Sequence, residues 1–252
     1  MKTVVITGGA SGIGLAFSQR LATEGWHVCV IDSNAAALQL ISASNISTFN
    51  GDVTDLNQIS SIINTITDTI STIDRLIHCA AIMPAGKLAT MAAPVTIELM
   101  AVNYGGMVNV IQAVLPTMLA QDAGELIVFG SSGGAVPVPD CGAYCATKAA
   151  TNTYMEILME ENRASNVQFM LVCPPLVDTP LLNQAMTTAA PKMLRYSLDN
   201  KRYLTTEDIV NAVTKGMQKK TKILWPSTEA KVLHWLRRFS PRLLWKIIHS
   251  AN

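Results

Sequence analysis

The sequence predicts an α/β fold: a doubly wound parallel sheet with helices on both faces. Short apolar runs alternate, up to about residue 225, with longer segments whose apolar residues recur at helical spacing. The apolar runs are continuous instead of alternating with polar residues, which is typical of parallel strands covered on both faces. No Pro-, Gly- or Ser-rich linker and no internal repeat interrupts this order, so we predict one domain over residues 1–226.

The predicted elements follow one another in the order that a right-handed crossover requires. The strands are expected at residues 4–7, 27–31, 46–50, 75–79, 125–129, 167–173 and 222–225. The clearest helices are expected at residues 12–23, 56–70 and 144–161.

The composition is that of a globular protein with a sizeable core, since 49% of the residues are apolar and 15% are charged. Five cysteines show neither a disulfide framework nor the spacing of a metal site, so we expect reduced thiols and no metal. The first residues lack the pattern of a secretory signal, and we find no apolar run of about 18 residues. We therefore expect a cytoplasmic protein.

A glycine-rich turn joins the first predicted strand to the first helix. It reads Gly-Gly-Ala-Ser-Gly-Ile-Gly over residues 8–14. In this context backbone N–H groups can approach a pyrophosphate, and the helix N-terminus favours its negative charge. The residues that we expect to contact a dinucleotide here are Gly8, Ser11, Gly12, Ile13 and Gly14.

Acidic residues follow the second and third predicted strands. Asp32 ends the second strand, where a carboxylate can accept hydrogen bonds from both ribose hydroxyls and would repel a 2′-phosphate. No Arg or Lys stands beside it, so the sequence favours NAD, and NADP is the less favoured cofactor. Asp52 and Val53 follow the third strand, and we expect them at the adenine edge.

A tyrosine and a lysine one helical turn apart supply acid–base chemistry. Tyr144 and Lys148 project from the same face of a predicted helix. A phenol acts as a base near neutral pH when its pKa falls from about 10 by ~3, which needs about 4 kcal/mol of phenolate stabilisation. The Lys148 ammonium can supply part of it. Ser131 lies 13 residues earlier and can hold a substrate oxygen, with Ser132 as the alternative.

With these motifs in order, the sequence resembles the short-chain dehydrogenase/reductase family over residues 1–225. The resemblance implies a Rossmann-type fold and a homo-oligomer, either a dimer or a tetramer. It implies that Asn103 holds a water in a proton relay to the lysine. It also implies cofactor contacts from Tyr144 and Lys148 and from the residues Ala80, Pro174, Val177 and Thr179.

Two segments depart from the family pattern. Where the family has Asn-Asn-Ala-Gly after the fourth strand, this chain has His-Cys-Ala-Ala at residues 78–81, so Cys79 replaces the Asn that braces the sheet. We expect weaker cofactor affinity or altered stability from this change, with activity retained. Pro175 replaces a glycine after the sixth strand, and its fixed φ predicts a different local loop.

The predicted reaction is hydride transfer between NAD(H) and the carbon of a secondary alcohol or ketone. Residues 180–204 fall where the family has its substrate lid, and they are apolar and contain methionines. This composition favours an apolar substrate, or it serves only to pack the lid onto the core. Two alternatives stay open: an NADP-linked reductase of acyl or lipid ketones, and a dinucleotide-sensing protein without catalysis.

We predict that residues 227–252, here called the tail, form a basic, amphipathic C-terminal helical extension. Residues 215–252 hold nine Lys and Arg and one acid, whereas residues 1–214 hold ten Lys and Arg and 17 acids. Basic residues, tryptophans and an apolar stripe are compatible with peripheral membrane contact, a subunit interface or a flap over the substrate mouth. We expect no nucleic-acid binding, because the basic residues interleave with apolar ones.

Overall fold

The computed structural model describes residues 1–70 and 72–250, and it contains the predicted parallel sheet. Seven parallel strands lie in the order β3-β2-β1-β4-β5-β6-β7. The order reverses direction at β1, which is the topological switch point where such sheets bind ligands. The strands are β1 Thr3–Thr7, β2 His27–Asp32, β3 Ile46–Asn50, β4 Arg75–His78, β5 Glu125–Phe129, β6 Gln168–Val172 and β7 Ile223–Leu224.

Helices cover both faces of the sheet. Helices α3, α5 and α6 pack one apolar cluster against it, and α1 and α9 pack another on the opposite face. The helices of the main fold are α1 Gly12–Thr23, α2 Ala35–Gln39, α3 Leu56–Thr69, α4 Ala93–Met100, α5 Gly106–Ala120, α6 Gly142–Glu161 and α9 Thr206–Gln218. The lid contributes α7 Pro180–Thr188 and α8 Lys192–Asp199, and the tail contributes α10 Thr228–Phe239 and α11 Pro241–Ser250.

The best-buried strands form where the sequence has continuous apolar runs. All five residues of β1 are buried, as are the central residues of β2 and the last four of both β5 and β6. A strand buried on both faces gains from apolar side chains at every position, so an uninterrupted run marks it. The observed strand ends agree with the predicted ones to within a residue or two.

The region between β4 and β5 was not predicted as helical. Helices α4 and α5 run on through a π-helical segment, Ala101–Gly105, into one helix over residues 93–120. This helix is long and apolar enough to cross a membrane by length and composition alone. Its residues Met107, Val110, Ile111 and Val114 are buried against the sheet, which gives the apolar face a place in the core.

The lid is tied to the loop after β4. The backbone N–H of Met83 donates to Gln184 Oε1, and that of Ala85 donates to Thr188 Oγ1, both at 2.8 Å. These two bonds hold α7 against the loop that follows β4. The tail follows β7 and packs its helix α10 against the short 3-10 turn Ser132–Gly134.

Candidate active site

The glycine loop leaves β1 at its carboxyl end and opens α1 beside the loop after β4. Gly8 has φ 64°, and a Cβ on it would stand 2.7 Å from the backbone nitrogen of Ala80. A Cβ on Gly14 would collide with the Gly8 backbone. Glycine is therefore needed at both positions for the loop to fold back onto the start of α1. The loop's predicted contact residues, Gly8, Ser11, Gly12, Ile13 and Gly14, all line a single large cavity.

Asp32 lies at the end of β2 and lines the same cavity. Its Oδ2 accepts a hydrogen bond from the backbone N–H of Ala10, and its Oδ1 accepts one from that of Asn34, both at 3.0 Å. The carboxylate thus ties the glycine loop to the second strand, a contact that the sequence pattern did not predict. Each carboxylate oxygen can accept a further hydrogen bond, so Asp32 still has acceptors for a ligand.

The residues after β3 complete this end of the cavity. Asp52 Oδ1 accepts from the Thr54 backbone N–H at 2.8 Å, which shapes the turn, and the Val53 carbonyl accepts from Asn109 Nδ2 at 2.9 Å. Both Asp52 and Val53 line the cavity, and their contact with an adenine stays a prediction.

Ser131, Tyr144 and Lys148 meet at the inner end of the cavity. Ser131 follows β5, and its Oγ accepts a hydrogen bond from the Gly133 N–H at 3.0 Å. The Lys148 ammonium lies 5.9 Å from the centre of the Tyr144 ring and donates to the Phe129 carbonyl at 2.8 Å. Tyr144 and Lys148 share one face of α6, as their spacing predicts, and both are buried.

The buried setting changes the proton affinity of both groups. Burial raises the pKa of the Tyr144 phenol, while its hydrogen bond with Ser131 lowers it. Burial lowers the pKa of Lys148 from 10.5 to about 8, and the neighbouring Cys79 and Cys173 thiols oppose that change. A lysine with this pKa is still mainly protonated at pH 7. The protein alone therefore does not give the Tyr144 pKa the decrease that a catalytic base requires, and further positive charge is needed beside the phenol.

Asn103 lies in the π-helical segment Ala101–Gly105, which packs against α6, and it is outside the lining of the cavity. Its Oδ1 accepts from the Ile82 N–H at 2.8 Å, and its Nδ2 donates to the Ile82 carbonyl at 2.9 Å and to Thr147 Oγ1 at 3.0 Å. Thr147 in turn donates to the Tyr144 carbonyl at 2.8 Å. Asn103 is thereby a positioning residue that connects the loop after β4 to the helix that carries Tyr144. Its relay role stays a prediction from the resemblance.

Asn152 is a functional candidate that the sequence motifs did not identify. It follows Lys148 by one helical turn, and its Nδ2 donates to the Ser131 carbonyl at 3.1 Å. A Cβ on Gly134 would stand 2.6 Å from this nitrogen, so the absence of a side chain at Gly134 makes room for the Asn152 amide. The signal in the sequence was the four-residue spacing after Lys148, which places Asn152 on the same helix face.

The fourth strand ends in the residues that depart from the family pattern. His78 is buried, and its Nδ1 lies 2.8 Å from Thr7 Oγ1, so this histidine has a structural partner. Burial, followed by the charge of Lys148, lowers the pKa of His78 to about 3, which keeps the ring neutral. Cys79 lines the cavity, and burial raises the pKa of its thiol.

The loop after β6 faces the glycine loop across the cavity. The Pro174 carbonyl accepts from the Ser132 N–H at 2.9 Å, which assigns Ser132 a backbone role in holding this loop. Thr179 is the N-cap residue of α7, and a Cβ on Gly12 would lie 3.4 Å from its side chain. The predicted residues Pro174, Val177 and Thr179 all line the cavity, and so does Ala80.

The cavity has a volume of about 780 Å³, within the range of small-molecule and cofactor sites. Its outer part lies beyond Tyr144, between the lid and the tail. Apolar side chains from both segments, from the loop before α6 and from the loop after β6 line that part: Val136, Val138, Cys141, Leu176, Leu181, Leu182, Met193, Leu194, Leu233 and Ile248. Arg202 and Glu229 stand at the rim with a 3.7 Å ion pair between lid and tail.

These residues fit a dinucleotide. The glycine loop exposes backbone at α1's N-terminus, where a pyrophosphate is favoured. The described structure gives the Lys148 ammonium one hydrogen bond, so two of its three N–H donors are left for ribose hydroxyls or water. When bound, a nicotinamide ring supplies a hydride donor or acceptor and, if oxidised, a positive charge.

A glycine-loop cleft that ends in a serine, a tyrosine and a lysine defines a class of protein: a dinucleotide-dependent oxidoreductase on a Rossmann-type sheet. The family model described as short chain dehydrogenase matches residues 2–190, about three quarters of the sequence. The chain belongs to the short-chain dehydrogenase family, as the ordered motifs predict.

Relatives in sequence cover most of this chain. 2-(S)-hydroxypropyl-CoM dehydrogenase 3 of Xanthobacter autotrophicus is 30% identical over 226 residues, covering 84% of this chain and 88% of its own length. A dehydrogenase/reductase SDR family protein 7-like of Anopheles gambiae is 24% identical, covering 98% and 82%. Glycine betaine reductase ATRR of Emericella nidulans is 29% identical over 84% of this chain, which spans only 17% of that much longer protein.

Solved structures share the fold. A short chain dehydrogenase/reductase from Burkholderia phymatum, in complex with NAD, aligns with a TM-score of 0.85 at 21% identity over 96% of this chain and 94% of its own. The 3-ketoacyl-(acyl-carrier-protein) reductase from Brucella melitensis, complexed with NADH, aligns with a TM-score of 0.79 at 18% identity over 90% and 97%. At identities this low, the structural likeness shows the fold alone.

Proposed function

We propose that this protein transfers a hydride between NAD(H) and the carbon of a secondary alcohol or ketone with an apolar body. The observation that carries the proposal is the meeting of Ser131, Tyr144 and Lys148 at the inner end of a cavity whose other end is the glycine loop. The three side chains offer an oxygen holder, a proton donor and acceptor, and a buried cation within one pocket.

Each side chain has a role that its contacts support. Tyr144 exchanges a proton with the substrate oxygen, and the Ser131 hydroxyl holds that oxygen beside it. Lys148 holds its charge within 5.9 Å of the phenol ring, stabilises the phenolate and binds the nicotinamide ribose. Asn103 keeps α6 in place through Thr147.

The cofactor preference rests on Asp32. Its carboxylate is fixed at the end of β2 by two backbone N–H groups, where it would face the adenosine ribose. Among the described residues that line the cavity, only Lys148 and Arg202 carry a positive side chain, and these contact Phe129 and Glu229 respectively. A 2′-phosphate would meet a carboxylate with no cation to offset it, which supports NAD over NADP.

The substrate class rests on the outer cavity. Leucine, methionine and isoleucine side chains of the lid and the tail line it, together with valine and cysteine side chains of the loop before α6, and such walls favour an apolar ligand body. Tyr144 lies at the inner end of the cavity, so the reacting oxygen would point inward and the apolar body would extend towards the mouth.

The test is NADH formation from NAD across secondary alcohols that run from short chains to sterols and hydroxy-lipids, repeated with NADP. We expect turnover with long or cyclic apolar alcohols. Tyr144→Phe should lower kcat at least a hundredfold with unchanged NADH binding, because a general acid–base group contributes about 10²–10⁴. Turnover in Tyr144→Phe equal to that of the wild type would overturn the proposal.

A matched control is available on the same helix. Tyr154 packs edge-on against the Tyr104 ring at 6.0 Å, away from the cavity lining. Tyr154→Phe removes the same hydroxyl from α6 and should leave kcat within about twofold. A similar loss in both variants would assign the effect to the helix and not to the Tyr144 proton.

We also propose a homo-oligomer formed through α4, α5 and α6, in a reducing compartment such as the cytoplasm. Ile97 and Ile157 are large apolar residues, 69% and 55% exposed, on α4 and α6. All five cysteines are unpaired. Ile157→Glu should shift a dimer or tetramer towards the monomer in size-exclusion chromatography with light scattering, and a monomeric wild type would contradict this assembly.

A further inference from the structure

The tail helices carry a second apolar face that points away from the cavity. On α10, Val232, Trp235 and Phe239 recur at spacings of three and four, which places them on one side of the helix. They are 58%, 49% and 74% exposed, and the Trp235 and Phe239 rings stack with centres 5.6 Å apart. The opposite side of α10 places Ala230 in the core and Leu233 on the cavity.

Helix α11 also seats one side on the core, but its exposed apolar residues Leu243 and Trp245 are two positions apart and lie on opposite flanks of that side. Leu244 and Ile248 are buried against Val136, and this small cluster also receives Leu233 and Leu236 from α10. Leu243 and Trp245 are 47% and 40% exposed. Because α10 and α11 pack against each other and seat their inner sides on one cluster, their outer sides form one surface, here called the tail surface.

Positive charges surround the tail surface. Lys231, Arg238, Arg242 and Lys246 are exposed and lie among its apolar residues. In the described part of the chain no carboxylate forms an ion pair with these four side chains, and Glu229 of the tail pairs with Arg202 of the lid. The chain as a whole has a net charge of +1, so the basic character is concentrated here.

We propose that the tail surface binds the surface of an anionic lipid bilayer. Exposed tryptophan, phenylalanine and leucine beside lysine and arginine are the composition of helices that lie in the membrane interface, where apolar rings enter the headgroup region and cations meet anionic lipids. A second copy of this chain is a poorer occupant. A two-fold contact brings the same patch against itself, and here that would oppose two sets of unpaired cations.

The geometry gives this surface a consequence for the cavity. The inner sides of α10 and α11 contribute Ala230, Leu233 and Ile248 to the cavity wall. A single layer of helices therefore separates the tail surface from the cavity mouth. If the proposed function holds, apolar substrate passes from the bilayer to Tyr144 around these helices. Lipid binding itself does not depend on the reaction.

Co-sedimentation with vesicles tests the proposal on the full chain without cofactor or substrate. We expect binding to vesicles of phosphatidylcholine with about 30% phosphatidylglycerol, and binding at least tenfold weaker to pure phosphatidylcholine. Arg242→Gln with Lys246→Gln should weaken binding to the anionic vesicles roughly 25-fold, at about fivefold for each cation near the surface. Trp235→Glu with Phe239→Glu should abolish it.

Leu40→Glu is the matched control. Leu40 is an 86% exposed leucine that follows α2, outside the tail, so its replacement adds a single glutamate at another exposed apolar site. Equal NADH affinity and melting temperature in all variants would establish that they fold. The proposal is overturned if the wild type stays in solution with both vesicle types. It is also overturned if Trp235→Glu with Phe239→Glu dissolves an oligomer while leaving vesicle binding unchanged.

Discussion

Replacing Lys148 by methionine should stabilise the protein without cofactor while it removes activity. Burial lowers the Lys148 pKa from 10.5 to about 8. At about 1.4 kcal/mol per pH unit, holding this ammonium in the fold costs roughly 3 kcal/mol at pH 7. Methionine fills similar space but leaves the Phe129 carbonyl without its donor, which takes back about 1 kcal/mol. The net gain of about 2 kcal/mol corresponds to a melting temperature roughly 5 °C higher for a chain of this size.

The pH dependence of this gain follows from the direction of the pKa change. Below pH 8 lysine is charged in both folded and unfolded chains, so the wild type bears the full cost. Between pH 8 and 10.5 the folded chain releases the proton that the unfolded chain keeps. The wild type therefore gains stability relative to the variant over this interval. The difference reaches zero at about pH 9.5, and by about pH 10.5 the wild type is more stable by the roughly 1 kcal/mol of its hydrogen bond to Phe129.

Thermal melts at pH 7 and pH 9.5 without cofactor measure both quantities. Lys87→Met, at an exposed lysine, is the control and should change neither melt by more than about 1 °C. The reasoning is refuted if Lys148→Met melts below the wild type at pH 7. It is equally refuted if the gap between them does not narrow at pH 9.5.

Three further perturbations test the parts of the site separately. Asp32→Ala should weaken NADH binding about tenfold and raise the NADPH-to-NADH affinity ratio, since it removes both the ribose acceptor and the repulsion; fluorescence titration measures both constants. Ser131→Ala should lower kcat roughly a hundredfold with little change in NADH affinity, by steady-state kinetics, because the substrate oxygen loses its holder. Asn103→Ala should destabilise the fold by about 2–3 kcal/mol in urea unfolding, as three buried hydrogen bonds are lost.

The sheet could be predicted because its strands are buried on both faces. The three central positions of β1 and the last four positions of both β5 and β6 are apolar, and such short continuous runs are characteristic of parallel strands. The helix over residues 93–120 could not be predicted in the same way. It is apolar on several sides and contains Pro94, Gly105, Gly106 and Pro116, which individually indicate turns or breaks. Packing against the sheet outweighs these local signals.

The site also contains residues that could be predicted from the sequence and contacts that could not. The glycine loop, Tyr144 and Lys148 depend on local spacing, and the structure brings them to one cavity with Ser131. The contacts of Asp32 with Ala10 and of Asn152 with Ser131 join segments 22 and 21 residues apart, which no local pattern encodes. The amphipathic pattern of the tail was compatible with three kinds of surface, and only the fold reveals that its inner side lies on the cavity.

The most direct test of the central claim is deuterium transfer from NADH carrying deuterium at both C4 positions of its nicotinamide to a ketone of the preferred apolar class, read by mass spectrometry of the alcohol product. We predict one deuterium on the carbinol carbon with the wild type and with Tyr154→Phe, and no labelled product above background with Tyr144→Phe. A wild type that binds NADH tightly yet transfers no deuterium to any ketone would contradict the account and identify the chain as a dinucleotide-binding protein without this chemistry.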